Sequence, residues 1–229
     1  YFELLKAKKV SGMIISPVGK SDIYDQSSEE ELKTCVFLDN EPGIQEGKYA
    51  FIGIDNCKAA KELTEQLLDA GHTEIAIVVG DLTETTCFER LAGYREALKE
   101  RAITPKEEWV FVGNCRFESG YEAMKKLAAM ENRPSAVLAH NNVEAYGVMV
   151  AAKECGIRIP EEISLVCFDD FTRRELMEPE LTCIQQPIEA MGKAAVKCIL
   201  RNMTQEEKGS SEKLYMPYRL RLGNSIKKR

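Results

Sequence analysis

The chain has two histidines and one tryptophan in 229 residues. With so few imidazoles and no serine or cysteine partnered to them, a nucleophilic triad has no support. Neither G-x-G-x-x-G nor a Walker lysine loop occurs, so the backbone cradle that nucleotide phosphates need is missing. No run of about 18 apolar residues exists to form a membrane-spanning helix, and the opening does not read as a secretory signal. Long blocks of one charge are also missing apart from Lys227-Lys228-Arg229. The 31 basic and 37 acidic residues leave a formal charge of -6, and a chain this acidic is not expected to grip nucleic acid by itself.

Cysteine is plentiful, with eight copies, but Cys35, Cys57, Cys87, Cys115, Cys155, Cys167, Cys183 and Cys198 are scattered singly with no C-x-x-C pair. Several sit in apolar runs, where the thiol acts as a small hydrophobe. The expectation is therefore no zinc site, no metal ligands, no cofactor and a reducing cytoplasm.

The 44% apolar content is enough for one large α/β domain or two smaller lobes. Short β-rich runs alternate with segments of helical period. Strands are expected at 11–16, 34–39, 49–54, 74–80, 109–113, 135–140 and 163–168. Between them, helices are expected to follow Asp55-Asn56, which are good N-cap residues, and to cover 88–100, 119–130 and 142–156. Ala60, Leu63 and Leu67 share one face of the first of these, which Gly71 closes. Strands apolar on both faces belong to parallel sheets covered by helices, so the fold class is doubly wound α/β.

In such sheets ligands sit beyond the carboxyl ends of the strands. The residues there are Ser16, Asp39, Asp55, Gly80-Asp81, Asn114, Asn141-Asn142 and Asp169-Asp170, a polar set rich in amides and carboxylates. Each has a plain alternative. Asp169-Asp170 can cap a turn, accept hydrogen bonds from ligand hydroxyls, or ligate Mg²⁺ in a phosphoryl-transfer enzyme, although no lysine follows a strand to complete that last site. Arg90 can be a solvated surface charge, but an arginine early in a helix opposes the macrodipole and wants another reason to be there. One of Asn141 and Asn142 is an N-cap. His72 follows a helix-ending glycine and reads as part of a C-terminal cap, and His140 at a strand end reads as structural.

Three stretches, "FIGIDNCKAAKELTEQLLDAGHTEIAIVVG", "ERLAGYREAL" and "IPEEISLVCFDDF" followed by "LTCIQQPIEAMGKAAV", resemble the effector-binding core of the lactose- and galactose-repressor family of bacterial transcription regulators. The likeness runs in order to the closing "LYMPYRLRLGNS". It implies a type I periplasmic-binding-protein-like fold of two lobes, 1–54 plus 187–211 and 55–186 plus 212–229, with crossings near Ile54-Asp55, Gln186-Pro187 and Ser210-Ser211. It also implies a sugar or related effector held by Ser16 and Asp39 on the first lobe, by Arg90, Asn141 and Asp169 on the second, and by Gln186 at the hinge, with Arg90 and Asp169 facing a cleft. A homodimer is implied too, together with DNA contact through an N-terminal helix-turn-helix unit that these residues do not contain, and a first lobe that lacks its opening strand-helix-strand unit. The chain departs from the family in having Asn142 where Asp is usual and Cys167 where Gly is usual, and in lacking the aromatic common near Cys115, with Phe117 left open as its replacement. No enzymatic chemistry and no membrane partner are expected. The rival reading is an extracytoplasmic sugar-binding protein of a transporter, against which eight scattered thiols argue.

Overall fold

The computed structural model describes residues 1–19, 22–45, 47–204 and 212–229, and the chain divides into two compact units, Tyr1–Ile54 with Pro187–Pro217 and Asp55–Gln186 with Tyr218–Arg229. The sequence reading placed the last crossing at Ser210-Ser211, which lies outside the described residues. The chain instead changes unit at Pro217/Tyr218, so residues 212–217, expected in the second lobe, belong to the first.

The first unit opens with α1 (Phe2–Ala7), β1 (Met13–Ile15), α2 (Asp22–Asp25), α3 (Glu29–Lys33), β2 (Cys35–Leu38) and β3 (Ala50–Gly53). Helix α3 starts at a capping box, in which the Ser28 hydroxyl accepts from the Glu31 amide and the Glu31 carboxylate accepts from the Ser28 amide. The second unit holds α4 (Asn56–Asp69), β4 (Ile75–Val79), α5 (Thr85–Glu100), β5 (Val110–Val112), α6 (Phe117–Ala128), β6 (Ala136–Ala139), α7 (Asn142–Glu154), β7 (Ser164–Phe168) and β8 (Thr182–Gln185). Helix α8 (Ile188–Thr204) and β9 (Lys213–Tyr215) return to the first unit, and β10 (Arg219–Arg221) ends in the second.

The first sheet runs β1-β2-β3-β9 and is parallel throughout, with β9 paired to β3 from Phe51↔Lys213 to Gly53↔Tyr215. That pairing is what carries 212–217 into the first unit. The outer strand β1 leaves Ile14 exposed. The second sheet runs β10-β8-β7-β6-β4-β5, with β10 antiparallel to β8 and the other pairs parallel.

Strands β4, β6 and β7 are buried on both faces, as their unbroken apolar runs require. Ala76, Val78, Val137, Ala139, Leu165 and Cys167 meet α6 and α7. The alternate residues point to the opposite face, where Tyr94 of α5 is fully buried and donates its hydroxyl to the Ile75 carbonyl at 2.7 Å. Leu63 and Leu67 of α4 are completely buried, each worth roughly 2 kcal/mol in transfer terms. At the end of α4, Gly71 takes φ +94°, letting its own amide reach Leu68 and the His72 amide reach Leu67, so two orphan carbonyls are satisfied. His72 therefore takes part in the cap, as its position suggested, but its ring does more. Buried at 1% exposure, it lies 2.7 Å from the Ser135 hydroxyl, 2.9 Å from the Ser164 hydroxyl and 2.9 Å from the Lys227 carbonyl, tying the C-terminal segment to the sheet.

Candidate functional site

Because the β4, β6, β7 and β8 strands are parallel, their carboxyl ends lie along one edge of the second unit's sheet, where α5 and α7 begin. Arg90 stands on the second turn of α5 and is only 2% exposed. Its Nε donates to Asn56 Oδ1 at 2.8 Å, its Nη1 donates to the His140 carbonyl at 2.7 Å, and its guanidinium lies 4.0 Å from the centre of the Phe168 ring. Asn56 is itself 1% exposed. The expectation that Arg90 would face a cleft without packing is thus corrected: this guanidinium is buried and joins α4, α5, β6 and β7. Among the described residues Nη2 has no acceptor.

Asn141 is the N-cap of α7. Its Oδ1 accepts from the Glu144 amide at 2.7 Å, and its Nδ2 donates to the Cys115 carbonyl at 3.1 Å. Asn142, the other of the two residues the sequence allowed as the cap, instead donates to the Asp170 carbonyl at 3.1 Å. Asp169 follows β7 with φ +64°, a left-handed conformation uncommon in a residue other than glycine. Its Oδ1 accepts from Gln186 Nε2 at 2.7 Å, so the end of β7 and the end of β8 are joined. Asp170 is committed to its own loop: Oδ1 accepts from the Phe171 amide, and Oδ2 lies 3.3 Å from Gln185 Nε2 and 3.5 Å from Arg174 Nη1. Both carboxylates are half-buried, and they differ in partners: Asp170 holds its own loop and Asp169 meets Gln186. Ser16 and Asp39 end β1 and β2 in the other unit. Ser16 is exposed, and Asp39 has φ +67° with its amide donating to the Ile52 carbonyl.

Beside Arg90 lies a group that the spacing of the sequence did not reveal. Cys87 Sγ is 3.7 Å from Cys115 Sγ and 3.3 Å from His140 Nε2, while Glu144 Oε2 is 3.8 Å from His140 Nδ1. Glu144 is completely buried, and burial pushes its carboxyl up to about 8. Burial, with the nearby Arg90 cation, holds the His140 imidazole well below its ordinary value. The contact between the two thiols, with burial, raises Cys87, and the same contact lowers Cys115. No local motif announces this set, since its members come from α5, the loop after β5, the end of β6 and α7.

Residues 64–226 match the family described as periplasmic binding protein-like domain. The chain belongs to that family, as an effector-binding core of the lactose/galactose-repressor type. Among curated relatives, the HTH-type transcriptional repressor PurR of Vibrio cholerae is 32% identical over 209 residues, covering 90% of this chain and 61% of the relative. This chain thus spans about three fifths of that repressor's length. Among solved structures, the transcriptional regulator CelR in complex with cellobiose is 27% identical, with a TM-score of 0.88 over 98% of this chain and 68% of CelR. The regulator CcpA of Lactococcus lactis is 25% identical, with a TM-score of 0.88 over 99% of this chain and 82% of CcpA.

In this repressor-type core the structure brings Arg90, Asn141, Asp169 and Gln186 to the carboxyl edge of one sheet. Asn56 and Phe168, which the sequence reading took for a helix start and a strand core, hold Arg90 there.

Proposed function

We propose that this chain is the effector-binding and dimerisation core of a sugar-responsive transcriptional repressor acting in the cytoplasm. Effector binding would shift the equilibrium between core conformations, and through linkage would change the DNA affinity of a helix-turn-helix unit elsewhere in the parent protein. The observation carrying this reading is the pairing of two unlike groups at one strand edge. Arg90 Nη2 has no acceptor among the described residues, and Asp169 keeps Oδ2 unused while Gln186 occupies Oδ1. Sugar hydroxyls both donate and accept, and a donor-only guanidinium and an acceptor-only carboxylate at the same sheet edge are the complement they need. The second N–H of Asn141 Nδ2 and the amide oxygen of Gln186 add one donor and one acceptor. Ser16 and Asp39, on the other unit, enter the proposal through family likeness alone.

The cellobiose complex of the CelR relative supports sugars as the class to test first. The relatives are transcription regulators, which disfavours the transporter alternative, and no reaction is assigned to the chain. Among the described residues no helix is long and apolar enough to cross a membrane. A thermal-shift screen of mono- and disaccharides against this chain tests the reading. At least one should raise the melting temperature in a concentration-dependent way, by RT ln(1 + [L]/Kd) in stability, and no shift with any sugar at saturating concentration would remove the sugar reading. Sedimentation of the parent protein tests the homodimer, which a stable monomer would overturn.

A further inference from the structure

Cys87, Cys115 and His140 place one ligating atom each within 4.8 Å of one another. We infer that these three side chains form a binding site for a thiophilic metal ion, with Zn²⁺ as the ion their chemistry fits best. Tetrahedral Zn²⁺, with Zn–S near 2.3 Å and Zn–N near 2.0 Å, holds two sulfurs about 3.8 Å apart and a sulfur and a nitrogen about 3.5 Å apart. The structure has 3.7 Å between the sulfurs and 3.3 Å between Cys87 Sγ and His140 Nε2. These two separations sit within a few tenths of an ångström of the required spacing, and the Cys115 sulfur lies within 4.8 Å of the His140 ligand atom.

A second observation points the same way. His140 turns Nε2 toward the thiols and Nδ1 toward Glu144, whose Oε2 is 3.8 Å away. His140 Nδ1 and both Glu144 carboxyl oxygens are buried without a hydrogen-bond partner among the described residues. Buried polar atoms are nearly always paired, so three unpaired ones in contact with a ligand set call for an explanation. Metal-bound histidines ordinarily give their far N–H to a carboxylate, and an ion on Nε2 fixes the proton on Nδ1, facing Glu144.

The backbone makes room for this arrangement. A Cβ on Gly80 would stand 2.0 Å from Cys115 Sγ and 2.9 Å from Cys87 Sγ, so only glycine lets the two sulfurs share that space. Cys115 itself is held at φ +62°, a conformation that costs a residue other than glycine about 1 kcal/mol or more and persists where surroundings impose it. Charge balances as well. Two thiolates neutralise the dication, so the Arg90 guanidinium, which donates to the His140 carbonyl, meets no net positive neighbour. Binding releases the two thiol protons to solvent. Two sulfurs and an imidazole select Zn²⁺ over oxygen-seeking Mg²⁺ or Mn²⁺. Three protein ligands leave a fourth position for water or a ligand atom. Metal capture by this triad is tested apart from the sugar reading, since its readout is thiolate absorption and needs no effector.

The test uses the full chain, stripped of metal and kept reduced, titrated with Co²⁺ as the spectroscopic probe and with Zn²⁺ against a chromophoric chelator. One equivalent of Co²⁺ should give thiolate charge-transfer absorption with tetrahedral visible bands, and Zn²⁺ should displace it. Cys115→Ser, at a half-buried position, and Cys87→Ser should abolish the signal with far-ultraviolet circular dichroism unchanged, while Cys155→Ser, at an exposed thiol, should keep it. Should Cys87→Ser fail to fold, Cys115→Ser still decides. Glu144→Gln should keep the Co²⁺ bands but weaken Zn²⁺ ten- to a hundredfold. No thiolate absorption in the unmodified chain, or the same absorption in folded Cys115→Ser, would overturn the site.

Discussion

Replacing Arg90 by alanine should destabilise the second unit, which a residue reserved for ligand contact would not do. Its guanidinium donates to two buried acceptors, Asn56 Oδ1 at 2.8 Å and the His140 carbonyl at 2.7 Å, and stacks on Phe168 at 4.0 Å. A hydrogen bond to a charged group contributes about 1.5–3 kcal/mol, so the two together reach about 3–6 kcal/mol. A desolvated cation–π contact adds about 2 kcal/mol. Removing the buried cation also removes its own desolvation cost, which places the net loss near the lower end, about 3 kcal/mol. At about 1.4 kcal/mol per decade, that exceeds a hundredfold in the folding equilibrium. Arg90→Lys should be intermediate, because a compact ammonium cannot span both acceptors and stack as well. Urea unfolding followed by circular dichroism, with m-values compared, measures the loss. A change below about 1 kcal/mol in Arg90→Ala would refute the packing role argued from these contacts.

Asn141→Ala should cost about 1–2 kcal/mol in the same assay, since it removes the cap of α7 and leaves the Cys115 carbonyl without its donor; a neutral effect would mean the cap is dispensable. His72 should make the protein acid-sensitive. Burial, with the nearby Arg229 cation, lowers its folded-state value below the unfolded 6.5. Between those two values the unfolded chain binds more protons, so this contribution is fully present above about pH 6.5 and is lost as the pH falls below it. Unfolding midpoints measured between about pH 7.5 and 5 should fall less steeply in His72→Gln than in the unmodified chain, and parallel slopes would contradict the assignment.

The parts of the fold that were legible are those whose signal is a long apolar pattern. Strands β4, β6 and β7 are buried on both faces, and α4 carries its apolar face between Asp55, which accepts from the Lys58 amide, and Gly71. Strands β9 and β10 escaped because KLY and RLR are three-residue segments with mostly exposed or half-buried side chains, and neither shows an apolar run. The same weakness displaced the last unit boundary from 211/212 to 217/218. Helices α5 and α6 begin at Thr85 and Phe117, before their expected starts, and neither has a side-chain cap to mark its end.

At the candidate site, strand-end residues such as Asp169 were legible from topology alone. The burial of Arg90 was not, because its acceptors lie 34 and 50 residues away. Nor was the Cys87–Cys115–His140 group, whose members are 28 and 53 residues from Cys87. Its only local trace is Glu144, four residues beyond His140 on the first turn of α7.

Asp169 offers the most direct test of effector binding, since the residue is half-buried and, among the described residues, its carboxylate meets the side chain of Gln186 alone. Calorimetry with the sugar that gives the largest thermal shift should therefore be run on the unmodified chain and on Asp169→Ala. A charged hydrogen bond of about 1.5–3 kcal/mol predicts a ten- to hundredfold weaker Kd in the variant at an unchanged unfolding midpoint. Equal affinity in the two proteins would contradict a ligand site at the carboxyl edge of this sheet.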